Sequence, residues 1–276
     1  MDPKVIKEIG NWSEIKLQIV KDYAAAYSKI LANQSPLKHV YVDAFAGAGV
    51  HTSKITKDVV LGSPLNALYT NPPFKELHLI DLDGDKIDWL RTFTQGNDNV
   101  HLYNGDCNAI LINQVFPQLT FQSYKRAICL LDPYGLHLKW DVIKTAADLG
   151  TIEIFLNFPT MDMNRNALLK NIEAIDPNEA ARMTAFWGDE SWRSIAYAEN
   201  PQQNLFGVED PLKQSNEKIA EEFRKRLKDV AGFKFVPDPI PMKNSKGAIV
   251  YYLFFASQNE TGNKIATHIL NKQRKT

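Results

Sequence analysis

The stretch HVYVDAFAGAGV, residues 39–50, decides how the chain is read. An apolar run with strand character ends in Asp43, and two glycines follow at Gly47 and Gly49. Glycine admits positive φ and carries no Cβ, so it either makes a tight turn or lets backbone come very near a ligand. For this stretch alone both readings are open. In an open parallel sheet a ligand sits at the carboxyl ends of the strands, beside the point where strand order reverses.

Outward from that stretch the same pattern repeats. ELHLIDLD (residues 76–83), NVHLYNGD (99–106), RAICLLDP (126–133) and TIEIFLNF (151–158) read as strands. The helical patterns DKIDWLRTF, CNAILINQVF, WDVIKTAADL and NALLKNIEAI follow them in turn. The strands are near-continuous apolar runs, as expected when helices cover both faces of a parallel sheet. FKFVPDPIPM and AIVYYLFFA, joined through NSKG, read as a C-terminal antiparallel hairpin. The expectation is an α/β fold: a mostly parallel seven-stranded sheet, that hairpin at one edge, and helices on both faces.

Upstream, residues 1–36 read as an N-terminal helical extension. Ser13 is its expected N-cap, and Ile15, Ile19, Ala26 and Ile30 form its stripe. Ser63 and Pro64 are expected to open a further helix after a loop, GAGVHTSKITKDVVL. Residues 176–215, with FWGDESWRS and NPQQNLFGVEDP, read as an inserted cap-like segment within a single domain spanning 1–276. Trp187 and Trp192 there either stack a base or, the favoured reading, close a small satellite core.

Length and composition suit such a domain. The chain has 276 residues, 44% hydrophobic and 23% charged, with 32 basic and 32 acidic side chains. The balanced charge argues against strong attraction to nucleic acid over the whole surface, though not against a local patch. The run FRKRLK follows Glu221 and Glu222 and reads as a solvated helix face. Two cysteines, Cys107 and Cys129, make neither a disulfide framework nor a metal site, and suit a reducing, cytoplasmic setting. The opening MDPKVIKEIG lacks a secretory apolar core, and the longest apolar run is too short to span a bilayer. The six histidines show no i, i+4 ligand spacing, and no metal is assigned from them.

The strand ends carry the chemistry. Asp43, Asp81, Asp106 and Asp132 close four successive strands. Asp81 is the first candidate for ribose hydroxyls, because Asp83 beside Gly84 fits an N-cap better. Asp106 can accept from an adenine amine while the Cys107 N–H donates to a ring nitrogen, or it can serve only as an N-cap. The dinucleotide fingerprint lacks its third glycine, since Thr52 stands three residues after Gly49, and there is no P-loop motif.

The order VDAFAGAG, IDLD, NGD, LDPYG resembles class I S-adenosylmethionine-dependent methyltransferases of Rossmann-like fold. With GSPLNAL and YYLFFAS added, nearly the whole chain resembles the three-Cys-motif partner family. The resemblance implies a cofactor site at Asp43, Phe45, Gly47, Gly49, Asp81, Leu82, Asp106 and Cys107, and a partner protein carrying three cysteines. Asp132-Pro133-Tyr134-Gly135 resembles the turn with which base amino-methyltransferases hold a target amine, one proline short, and is closer to the DPFG turn of tRNA guanine-N2 dimethyltransferases. There the Asp132 carboxylate and a proline carbonyl accept from the NH2, and the Tyr134 ring stacks on a flipped base. An ordinary turn is the competing reading, as Pro and Gly sit where turns want them. Asn157-Phe158-Pro159 lines the substrate side or is plain loop. The expected activity is N-methylation of a nucleic-acid base, against a non-catalytic module that binds the partner and, more weakly, a nicotinamide oxidoreductase.

Overall fold

The computed structural model describes residues 6–198 and 212–274. Its strands, in chain order, are β1 (Lys7–Ile9), β2 (Lys38–Asp43), β3 (Val50–Ser53), β4 (Val59–Leu61), β5 (Glu76–Asp81), β6 (Val100–Asn104), β7 (Lys125–Leu131), β8 (Ile152–Phe158), β9 (Tyr197–Ala198), β10 (Leu212–Lys213), β11 (Ile240–Lys243) and β12 (Ile249–Ala256). Seven of them form one sheet in the order β11-β12-β8-β7-β2-β5-β6. The strands from β8 to β6 pair in parallel, and β12 runs antiparallel to both of its neighbours. The mostly parallel seven-stranded sheet and its terminal hairpin are therefore present. The strand order reverses between β2 and β7, which places a crevice at their carboxyl ends.

Strand period divides the core in two. Val40, Val42, Cys129, Leu131, Ile154 and Leu156 pack on one face, while Tyr41, Leu79, Ile128, Leu130 and Phe155 pack on the other. The first face is covered by α5 (Trp140–Leu149), α7 (Pro177–Trp187), α8 (Trp192–Ala196) and α9 (Asn216–Asp229). The second is covered by α1 (Asn11–Leu31) and α10 (Glu260–Arg274). Phe158, Phe186, Trp187, Phe223 and Phe254 make one aromatic stack in the first layer. Trp187 and Trp192 thus belong to the main core rather than to a satellite, and are too deeply buried to stack a base. Residues 199–211 of the expected insert lie outside the described residues.

Several local expectations shift. The N-cap of α1 is Gly10, and its buried face takes in Lys16, Val20, Tyr23, Tyr27 and Leu31; of the stripe expected, Ile19 is buried, Ile15 and Ala26 are half-buried and Ile30 is exposed. Gly62, not Ser63, caps α2 (Ser63–Leu68). The expected loop after Gly49 is a β3–β4 hairpin extended in parallel by β1, because Val and Thr favour strand even among polar neighbours. The helix expected over residues 107–116 is α4 (Cys107–Ile110) followed by π and 3-10 turns. NALLKNIEAI is not one helix: α6 (Thr160–Asn166) ends as that stretch begins, and Asn171 caps a separate 3-10 turn. Only the last part of FKFVPDPIPM is strand, since Pro237 and Pro239 lack the N–H that a ladder needs.

Candidate functional site

Two cavities meet at the carboxyl ends of β2, β5, β6 and β7. The larger, about 840 Å³, is lined by Phe45, Asp81, Leu82, Asp106, Cys107 and Tyr134, among others. The smaller, about 270 Å³, is lined by Trp12, Lys16, Gly47, Asp132, Pro133, Tyr134, Asn157 and Tyr251, among others. Phe45 and Tyr134 border both, so the turn after β2 and the turn after β7 form their common wall.

The glycine pair now separates into two roles. Gly47 adopts φ 63° with open space where a Cβ would stand, and it borders the smaller cavity. Gly49, at φ 79°, packs inward: a Cβ there would come within 2.7 Å of Leu90 and 3.0 Å of Leu65. One glycine faces the crevice, and the other lets the loop settle against α2 and the α3 helix (Gly84–Thr94).

Beneath the loop, Asp43 is fully buried, and its Oδ1 accepts from the Phe45 N–H at 3.2 Å. Burial raises its carboxyl to about 7, against the pull of Ser63 and the Phe45 N–H. It shapes the loop from below rather than facing either cavity. Asp81 does face the larger one. Its Oδ2 accepts from the Gly47 N–H at 2.8 Å, its Oδ1 from the Asp83 N–H at 2.9 Å, and Lys86 Nζ lies 3.4 Å from Oδ1. Asp83 caps α3 as expected. Asp106 caps α4 through the Asn108 N–H at 3.1 Å and stays exposed on the cavity wall. Cys107 lines the same wall, with its thiol pushed up to about 12 by burial, which excludes a thiolate nucleophile at neutral pH.

The turn after β7 is more than a turn. Asp132 Oδ1 accepts from Asn157 Nδ2 at 2.6 Å, and Oδ2 pairs with the ammonium of Lys16 on α1. Lys16 Nζ also stands 5.6 Å from the centre of the Tyr251 ring. Gly135 does not need a positive φ. Its missing Cβ makes room for Asp162, whose Oδ2 would lie 2.6 Å from such an atom and accepts from the Leu136 N–H at 3.2 Å. His51, on the smaller cavity, is held neutral, its pKa lowered to about 4 by burial and by Lys16.

Lys16 is not visible as a site residue in the sequence, and Asn157 is visible there only as substrate side or plain loop. Asn157 is strand, not loop, and turns into the smaller cavity. The signal for both was a polar residue on an otherwise buried line: Lys16 on the Val20–Tyr23–Tyr27 stripe, Asn157 in a wholly buried strand.

Among solved structures, the protein LPL1258 of Legionella pneumophila aligns with 96% of this chain and 92% of its own at TM-score 0.56 and 12% identity, a likeness of fold alone. Fainter likenesses are to a putative methyltransferase from Thermobifida fusca (TM-score 0.42, 12% identity, 92% of this chain and 84% of that one) and to a putative S-adenosylmethionine dependent methyltransferase from Listeria monocytogenes (TM-score 0.41, 10% identity, 86% and 99%). No family model and no curated protein matches the chain.

Proposed function

We propose that the chain is an S-adenosylmethionine-dependent N-methyltransferase acting on an exocyclic amine of a nucleic-acid base. The observation that carries this reading is the pair of cavities sharing the Phe45–Tyr134 wall, with Asp81 and Asp106 on one side and Asp132 on the other. The larger cavity suits an adenosyl group: Asp81 keeps lone pairs for ribose hydroxyls, and Asp106 is exposed to accept from an amine, while Gly47 leaves backbone room on the adjoining smaller cavity. Phe45, Leu82 and Cys107 complete that wall.

When bound, the cofactor supplies an electrophilic methyl group on a sulfonium. The chain's own part is positioning, worth roughly 7–11 kcal/mol for well-oriented reactants. Asp132 accepts from the target NH2 and turns its lone pair toward the shared wall. Asn157 and Lys16 hold the Asp132 carboxylate in place. Pro133 offers a carbonyl, and Tyr134, Trp12 and Tyr251 offer faces for a flat base. Lys7, 4.8 Å from the Tyr134 ring centre, and Arg165 put positive charge near the mouth for a phosphate backbone. Balanced overall charge leaves this local patch as the attraction.

A second reading, a non-catalytic module that binds a three-cysteine-motif partner protein, is favoured by one observation: Lys16 already occupies Asp132. Calorimetry with S-adenosylmethionine, then labelled-methyl transfer to a mixed RNA, DNA and protein pool, separates the two. Transfer lost in Asp132→Ala with cofactor binding retained supports the enzyme. A folded protein silent toward the cofactor supports the module.

A further inference from the structure

At the other end of the sheet, Glu76 and His78 stand two residues apart on β5 and so share a face, and His101 on β6 is the register partner of His78. Sequence spacing could not show this pair, because 22 residues, α3 among them, separate the histidines. One ligand atom from each of the three lies within 4.8 Å of the others, the one such group among the described residues. The two imidazoles stack with centres 4.8 Å apart.

His78 is fully buried, and its two nitrogens differ. Nδ1 is 3.0 Å from the Tyr103 hydroxyl. Nε2 has no hydrogen bond and lies 3.5 Å from Glu76 Oε2. A buried polar nitrogen left without a partner costs about 1–3 kcal/mol, so it calls for an explanation. One ring nitrogen held by an outer partner while the other stays free for the ion is how a metal-binding histidine is set, and here Glu76 stands beside the free one. Lys125 Nζ, 2.6 Å from Glu76 Oε2, already places a cation at the carboxylate but does not satisfy Nε2.

We propose that Glu76, His78 and His101 form a site for a borderline divalent cation of the Zn2+ class, with the Lys125 ammonium as the internal cation it displaces. Two imidazoles and one carboxylate select Zn2+, Co2+ or Ni2+ over Mg2+ or Ca2+. Bonds of about 2.0–2.2 Å require the ligand atoms to close in, which rotation of the exposed His101 ring supplies. The ion would clip edge strand β6 to β5 and stand apart from the cavities at the carboxyl ends.

The probe is Co2+ alone, titrated into the full chain and followed by its visible d–d absorption, with Zn2+ as competitor. One saturable, Zn2+-reversible site is expected. His101→Ala and Glu76→Gln, both checked for folding by circular dichroism, should each weaken it about tenfold or more. Lys125→Ala should tighten it. These variants carry the test because removal of buried His78 can unfold the chain. No Co2+ band, a band undiminished in both ligand variants, or no tightening in Lys125→Ala overturns the proposal.

Discussion

The two ends of the sheet each bury a carboxylate, and they use it differently. Asp43, at the carboxyl end of β2, is raised to about 7 by burial, and so is Glu153 near the amino end of β8. Glu153 is closed off by distant parts of the chain: the Tyr23 hydroxyl donates to Oε2 and the Ser257 hydroxyl to Oε1 at 3.0 Å. It ties α1 and the end of β12 to β8. A cavity of about 690 Å³ opens beside it, but Glu153 is buried there, whereas Asp132 is partly exposed and Asp106 exposed. Asp43 instead holds its own loop and leaves the cavity walls to Asp81, Asp106 and Asp132. A cavity becomes a candidate site where acceptors face it, and volume alone does not make one.

The sharpest way to break this contrast is pH. Glu153 ordinarily titrates near 4.5 but near 7 when folded, so between those values the folded chain keeps a proton that the unfolded chain has released. Glu153's contribution to stability is therefore largest below about 4.5, falls as pH rises toward 7 and is level above, a change of about 3 kcal/mol. Asp43 adds in the same direction. Glu153→Gln should flatten the profile by about that amount in urea unfolding at pH 5 and pH 8. At the opposite end, Asp132→Ala should slow methyl transfer about 100-fold, read by labelled-methyl incorporation, and should also cost about 1–3 kcal/mol of stability because Lys16 loses its carboxylate partner.

Two glycines sharpen the contrast further. A Cβ at Gly262 would meet Glu153 Oε1 at 2.5 Å, and one at Gly135 would meet Asp162 Oδ2 at 2.6 Å. Gly262→Ala should cost about 1–3 kcal/mol of stability and leave cofactor affinity alone, as thermal melts and calorimetry would report. The smallest effect is at Lys16→Ala. It should cost about 1–2 kcal/mol, because Asp132 keeps Asn157 and some access to water, and Asp132→Asn in the same chain should recover most of the loss.

The sheet was legible because its strands are apolar on both faces and their ends are marked by Asp, Gly and Pro. The β3–β4 hairpin was not, since β3 is mostly polar, β4 is only Val59-Val60-Leu61, and the pairing with β1 is a contact across the chain. The acidic strand ends were legible as a set, but their individual roles depended on depth. Asp43 and Asp81 look alike in sequence, yet one is beneath the loop and the other on the cavity wall. Lys16 was hidden because the stripe expected for α1 ran through its apolar residues alone. The Glu76–His78–His101 group depends on strand register, which spacing along the chain does not encode.

The most direct measurement is calorimetric titration of S-adenosylmethionine into the unaltered chain, Asp81→Ala and Glu153→Gln side by side at one pH. Micromolar binding is expected in the unaltered chain and in Glu153→Gln, with about tenfold or greater weakening in Asp81→Ala. A folded chain that binds no cofactor, or equal loss in both variants, would contradict the assignment of the carboxyl-end crevice.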